Sequence, residues 1–325
     1  MGDKLQPVEN ASGHQAQARL RVPNSSSGDN VRLGVAVILG TDLALSLGDA
    51  AIKSISADFV LWQIFVMRSI FAIPALIAVI LWRSGIRSLA PRRLGWVALR
   101  SLMLTFMWVA YYAALPHLAL GIAAAAYFTL PIFITLFAAL FIGDRIGPKG
   151  WGAVFLGFAG VLLILKPEAS GFNEYALLPL AAAILYALAM ILTRTKCREE
   201  NPLVLSLSLN VSFVVIGLLA TLLIAIAPGS ASEAQGASFL LGEWSSMGGT
   251  EWLSMALLAV AVIMGSVGAA IAYQVGPPAT IATFDFAYLG FSALWGVLFF
   301  AEVLDVVTVA GMLLIIAAGV LAVRR

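Results

Sequence analysis

Five ionisable residues stand inside runs that are otherwise as apolar as lipid: Asp42, Asp49 and Lys53 in "TDLALSLGDAAIK", Arg68 in "WQIFVMRSIF", and Asp285 in "ATFDFAYLGF". A charge near the centre of a membrane helix costs about 2.5–3.5 kcal/mol on insertion scales, so it faces a partner or a watered cavity rather than hydrocarbon. At 100° per residue Asp42, Ser46, Asp49 and Lys53 fall within about 60° of one another, a single polar stripe on an apolar cylinder. Asp49 and Lys53 either satisfy each other at i,i+4, with Lys53 reaching the outer interface, or share a cavity. Asp42 and Arg68 each lie about nine residues, roughly 13 Å, from a helix end. In antiparallel neighbours they meet at mid-depth, either as a structural ion pair or as a binding pair. Carboxylates such as Asp42 and Asp285, alternately hydrated and occluded, are able to exchange protons, which makes the proton a candidate coupling ion. Tyr288 and Trp295, with Tyr127 of the fourth run and Trp108, Tyr111 and Tyr112 of the third, either line the same space and stack on a substrate or form packing and interfacial belts. Tyr186, Asn210, Tyr273 and Gln274 are weaker polar candidates. Arg100, opening the third run, is shallow enough to reach the inner interface.

Elements that hold such groups have to be membrane helices. Of 325 residues 61% are apolar and 11% charged, against about 25% charged in soluble domains. The mean hydropathy is +0.98. Ten apolar runs are each long enough to cross a roughly 30 Å hydrocarbon core as a helix: 33–54, 59–82, 94–115, 118–142, 149–166, 175–195, 203–227, 252–275, 279–301 and 304–323. They are continuous, without the two-residue alternation of barrel strands. Residues 1–32 are polar, lack an apolar signal core, and read as a disordered cytoplasmic tail.

Lysine and arginine set the orientation. With the N-terminus inside, 15 of the 19 fall on the cytoplasmic side, Lys53 and Lys166 fall outside, and Arg68 and Arg100 lie within the runs. The loop 228–251 has no basic residue and is placed outside. Both termini are then cytoplasmic, in an inner or plasma membrane.

The two ends "FIGDRIGPKGWGAVFLGFAGVLLI" (141–164) and "FFAEVLDVVTVAGMLLIIAAGVLA" (299–322) share an aromatic helix end, an acidic residue, a turn and a glycine-spaced helix, with Asp144 opposite Glu302. Five runs per half is an odd number, so the second copy enters the membrane inverted. Residues 99–167 and 277–325, which contain these endings, resemble the drug/metabolite transporter superfamily in its ten-helix form built of two EamA domains. The resemblance covers about residues 33–325, with a first repeat at 33–166 and a second at 175–325. It implies an all-α integral membrane protein of ten helices in two inverted five-helix repeats, and a small-metabolite carrier working by alternating access. Arg68 matches the arginine the family carries in its second helix. The family includes exporters of amino acids and drugs and importers of vitamins or S-adenosylmethionine; export is the direction preferred here.

No phosphate-binding glycine loop with lysine and no cysteine or histidine cluster is present, so neither an enzyme, a cofactor nor a metal is expected. A net charge of +2 gives no ground for nucleic acid binding, and nothing indicates an oligomer. The partners expected are a small-molecule substrate and the bilayer. A membrane scaffold or sensor is the alternative of a different class, and it would need neither mid-depth charges nor an inverted repeat. The orientation makes a direct prediction: of cysteines introduced at Ser88 and Ser238, a membrane-impermeant thiol reagent added outside labels only the second, with the native Cys197 protected. Labelling at Ser88 would invert the assigned topology.

Overall fold

The computed structural model describes residues 30–55, 59–114, 117, 126–143, 146–165, 174–226, 237–300 and 306–323. Asp144, Glu302 and residues 1–29 lie outside them, as do the side chains of Asp49 and Lys53. The described chain is helical without strands: α1 Val31–Ile55, α2 Leu61–Ser84, α3 Leu94–Ala114, α4 Leu130–Phe137, α5 Pro148–Leu165, α6 Leu177–Thr195, α7 Pro202–Ile226, α8 Gly249–Val275, α9 Pro278–Phe284, α10 Ala287–Phe300 and α11 Val306–Val323. Helices are what lipid demands of a spanning chain, because they satisfy every backbone group within the segment. Six of them, α1–α3 and α6–α8, are long and apolar enough to cross a membrane; shorter apolar stretches run over Leu130–Ile142, Pro148–Leu163 and Val309–Ala318. This is a multi-pass, all-α membrane architecture.

Two of the expected continuous runs are interrupted. The fourth is helical at Ala126–Tyr127, turns at Phe128–Thr129, and resumes at Leu130 with Pro131 in the first turn. Pro131 has no N–H to donate back across that turn, and the Thr129 carbonyl starts the new helix by accepting from Ile132 N at 3.0 Å. The ninth run is split into α9 and α10 at Asp285–Phe286. Hydrophobicity summed over a whole run misses both breaks, because each brings only one polar residue, Thr129 or Asp285, beside an apolar phenylalanine.

The bundle is assembled by pairs of helices. α1 packs on α8 and α10, α2 on α7 and α8, α3 on α6 and α7, α4 on α6 and α9, and α5 on α11. The expectation that α1 lies against α2 is therefore corrected: α8 lies against both and separates them. Glycines let it approach, since a Cβ at Gly265 would strike Leu45 of α1 and one at Gly268 would strike Thr41.

At the α5–α11 seam the neighbour is backbone: a Cβ on Gly160 would stand 2.6 Å from the backbone oxygen of Gly311, whereas one on Gly152 would meet Leu321 at an ordinary 3.8 Å. Overpacking of this kind costs about 1–3 kcal/mol. Gly160→Ala is expected to lower the melting temperature of the purified protein while Gly152→Ala leaves it unchanged; equal effects would show that the seam yields.

Candidate functional site

A central cavity lies where α1, α3, α6 and α8 converge on the two interrupted helices. It is lined by Asp42 of α1, Arg100, Trp108 and Tyr111 of α3, Tyr127 and Phe128 at the fourth-run break, Tyr186 of α6, Gly265 and Ser266 of α8, and Asp285 and Tyr288 at the ninth-run break, among apolar residues. About 110 Å³ of it is open to the centres of water-sized molecules. One water needs about 10–15 Å³ by that measure, so the space takes several waters or one small solute.

Asp285 is 5% exposed and sits in the turn between α9 and α10. Its Oδ2 accepts a short hydrogen bond from the phenolic OH of Tyr273, a fully buried residue on the last turns of α8. The next residue, Phe286, is also fully buried, and its ring occupies the space that a side chain at Gly157 of α5 would need. That anchor fixes the break and, through it, the carboxylate. Asp42, likewise 5% exposed, lies within range of the charge of Asp285, and its Oδ2 has no hydrogen-bond partner among the described residues.

Arg100 corrects the expectation that it reaches the inner interface. It is 0% exposed and lines the cavity. Its Nε donates to Thr193 Oγ1 at 2.6 Å, and Thr193 donates in turn to the Ala189 carbonyl at 2.8 Å. Nη1 and Nη2 have no acceptor among the described residues. Just ahead of α3, Glu200 from the α6–α7 connection accepts from the backbone N–H groups of Arg92 and Arg93 at 3.1 and 2.8 Å.

The aromatic lining is one connected set. Tyr111 and Tyr127 have centroids 5.1 Å apart, Tyr127 and Tyr186 6.4 Å, and Phe128 and Tyr288 5.7 Å. Their faces and hydroxyls suit a small solute with an apolar or cationic body.

Residues 32–166 match the model of the EamA-like transporter family. A riboflavin transporter of Rhizobium johnstonii is 40% identical over 95 residues, 29% of this chain and 30% of that protein. A pseudopaline exporter of Pseudomonas aeruginosa is 27% identical over 291 residues, 89% of this chain and 95% of that protein. Residues 32–166 are an EamA-like transporter domain, and the likeness to the exporter runs over nearly the whole chain. A crystal structure 18% identical in sequence superposes over 91% of this EamA-domain protein and all of its own chain, with a TM-score of 0.74, which speaks for the fold alone.

Of the residues singled out from the sequence, Asp42, Trp108, Tyr127, Asp285 and Tyr288 line the cavity of this EamA protein. Three do not. Arg68 is buried between α2 and α7, its guanidinium 5.0 Å from the Phe65 centroid and 4.6 Å from that of Phe213. Tyr112 stacks behind Trp108 at 5.3 Å and meets Phe239 edge-on at 6.1 Å. Trp295 ties α10 to α1, donating from Nε1 to Ser46 Oγ at 2.9 Å. Asp49 falls on α1 with its side chain outside the described residues. Of the weaker candidates Tyr186 lines the cavity, Tyr273 holds Asp285, Asn210 bonds to Ser69 and Ser206, and Gln274 bonds to the carbonyls of Cys197 and Glu200.

Thr193 is a positioning residue, and hydrogen bonds to charged groups contribute about 1.5–3 kcal/mol. Thr193→Val is expected to lower the melting temperature of the purified EamA protein, and Thr193→Ser, which keeps the hydroxyl, to restore it. A valine variant as stable as the parent would show that this bond does not hold Arg100.

Proposed function

We propose that the protein is a secondary carrier that moves a small polar or amphipathic metabolite across the inner or plasma membrane by alternating access, with both termini cytoplasmic and export as the direction. The observation that carries this reading is the meeting of two interrupted helices, one from each half, around a cavity holding Asp42, Arg100 and Asp285. Broken helices at mid-membrane are how carriers expose polar groups to a solute without exposing them to lipid.

The inverted repeat, 33–166 against 175–325, has its own support. Exchanging α1–α3 with α6–α8, α4 with the α9–α10 pair, and α5 with α11 turns the α1–α8 contact into α3–α6, α1–α10 into α4–α6, and α2–α8 into α3–α7. The α2–α7, α4–α9 and α5–α11 contacts map onto themselves. Two such halves give a carrier two related conformations, one open to each side. Export follows the pseudopaline exporter, whose likeness covers 95% of its chain, against 68% for a riboflavin transporter of Vibrio cholerae and 69% for an S-adenosylmethionine uptake transporter of Rickettsia bellii. Uptake of a vitamin-like compound is the opposite outcome of the same assay.

Efflux and uptake of a panel of labelled metabolites, in cells with and without the protein, test the function; faster efflux with the protein supports export, and no difference for any member overturns the carrier reading. For coupling, Asp285→Asn keeps the shape and removes titration. Concentrative transport is expected to disappear while solute exchange across the membrane persists. Accumulation driven by a pH gradient and undiminished in the variant would exclude Asp285 as the proton site.

A further inference from the structure

Two buried charged groups face the central cavity with hydrogen-bonding capacity unspent. The Arg100 guanidinium commits Nε to Thr193 and leaves both Nη groups without an acceptor among the described residues; Asp42 leaves Oδ2 without a donor. They do not close on each other, and α1 and α3 are not principal packing partners: the cavity stands between the two groups. The second carboxylate, Asp285, is already engaged by Tyr273. Unpaired charges in a low-dielectric interior are expensive, and a fold retains them where something that comes and goes completes them.

We propose that the cavity takes an amphoteric solute, docking a carboxylate or similar planar anion on the two Nη groups of Arg100 and an ammonium or other N–H donor on Asp42, with the solute body among Trp108, Tyr127 and Tyr288. This deepens the carrier reading and rests on it for the claim that the bound solute is moved. The fork of a guanidinium matches two acceptor oxygens at once, which a point charge does not. The aromatic rings accept an apolar or cationic body. A purely anionic solute would bring its charge against the acidic side of the cavity and leave Asp42 unanswered, and a purely cationic one would do the same at Arg100. Rejection by leaving a buried polar group unpaired is the strong form of selectivity, worth orders of magnitude where a missing methylene is worth far less. The open volume limits the solute to one of small-metabolite size.

Four probes sharing one phenyl ring separate the contributions: L-phenylalanine, phenethylamine, 3-phenylpropionate and 3-phenylpropanol, each titrated against the melting temperature of the purified full-length protein. Phenylalanine is expected to bind at least tenfold more tightly than the singly charged probes, and the neutral alcohol least. Arg100→Gln is expected to erase the advantage of phenylalanine over phenethylamine, and Asp42→Asn its advantage over 3-phenylpropionate. Should the glutamine variant fail to fold, Arg100→Lys keeps the charge, loses the fork and is expected to weaken phenylalanine binding several-fold. Equal binding of the four probes, no binding of any, or phenylalanine binding indifferent to both substitutions overturns the assignment. Vesicle fluxes of the same probes keep the two readings apart. Binding without flux overturns the carrier and leaves the amphoteric site; flux confined to singly charged or neutral probes does the reverse.

Discussion

Hydrocarbon offers no hydrogen bonds, and that absence organises everything in this bundle that is not apolar. Backbone groups answer it by coiling into helices; side chains have to find one another. Between α3 and α7 they do so in successive rungs, Ser101 to Ser208 at 3.0 Å and Thr105 to Ser212 at 2.9 Å. Ser69 reaches Asn210 across α2 and α7 at 3.2 Å, and Trp295 reaches Ser46 across α10 and α1. Each contact is worth roughly a kcal/mol or less, yet each also fixes the rotation of a helix about its axis. That rotation decides which residues face the middle. Asp42 faces inward because the stripe it shares with Ser46 is pinned to α10, and Arg100 because Ser101, the next residue round the helix, is pinned to α7.

The same constraint explains why the helices break where they do. A broken turn exposes backbone groups, which hydrocarbon tolerates only beside a polar cavity or inside protein. Both breaks satisfy that condition, at Phe128–Thr129 and at Asp285–Phe286, and small residues supply the room: Gly157 admits the Phe286 ring, while Gly265 and Gly268 bring α8 onto α1. Small residues far from any chemistry thus set where a carboxylate stands.

Sequence alone carried the all-α membrane class, because hydrophobicity and length are summed over twenty residues and tolerate local error; the family was legible only through the resemblance of residues 99–167 and 277–325. Sequence also found Asp42 and Asp285, since an acidic residue inside an apolar run is conspicuous at any angle. Neighbours were not legible. The Asp42–Arg68 pairing rested on equal depth, but depth leaves open which helix stands alongside, and the glycines of α8 put that helix between them. Arg100 was passed over for a correctable reason. It lies six residues into α3, about 9 Å deep, as far from its helix end as Asp285 lies from the start of the ninth run at residue 279. The snorkelling argument assumes a side chain free to turn outward, whereas Arg100 Nε is held by Thr193 of α6, and the start of α3 is itself tied to Glu200, which accepts from the Arg92 and Arg93 amides.

That contact belongs to a larger closure at the end of the bundle where α3 begins. Gln274 donates to the carbonyls of Cys197 and Glu200 at 2.7 and 2.9 Å, Arg194 donates to the carbonyl of Gln274 at 2.7 Å, and Asn30 N to that of Val275 at 2.9 Å. At the opposite end Trp62 and Gln63 of α2 hold the 240–245 segment, through Leu240 O at 2.7 Å and through Ser245 at 2.7 and 2.9 Å. The closure near α3 ties the beginnings of α1 and α3 to the α6–α7 and α8–α9 connections, joining elements from both halves of the chain. The α2 contacts also join the halves, holding one helix of the first to the 240–245 segment of the second. The first closure draws on several helix ends and connections and the second on one helix and one segment, and neither uses a side chain that lines the cavity, so the ends of the bundle are held independently of the groups in its middle.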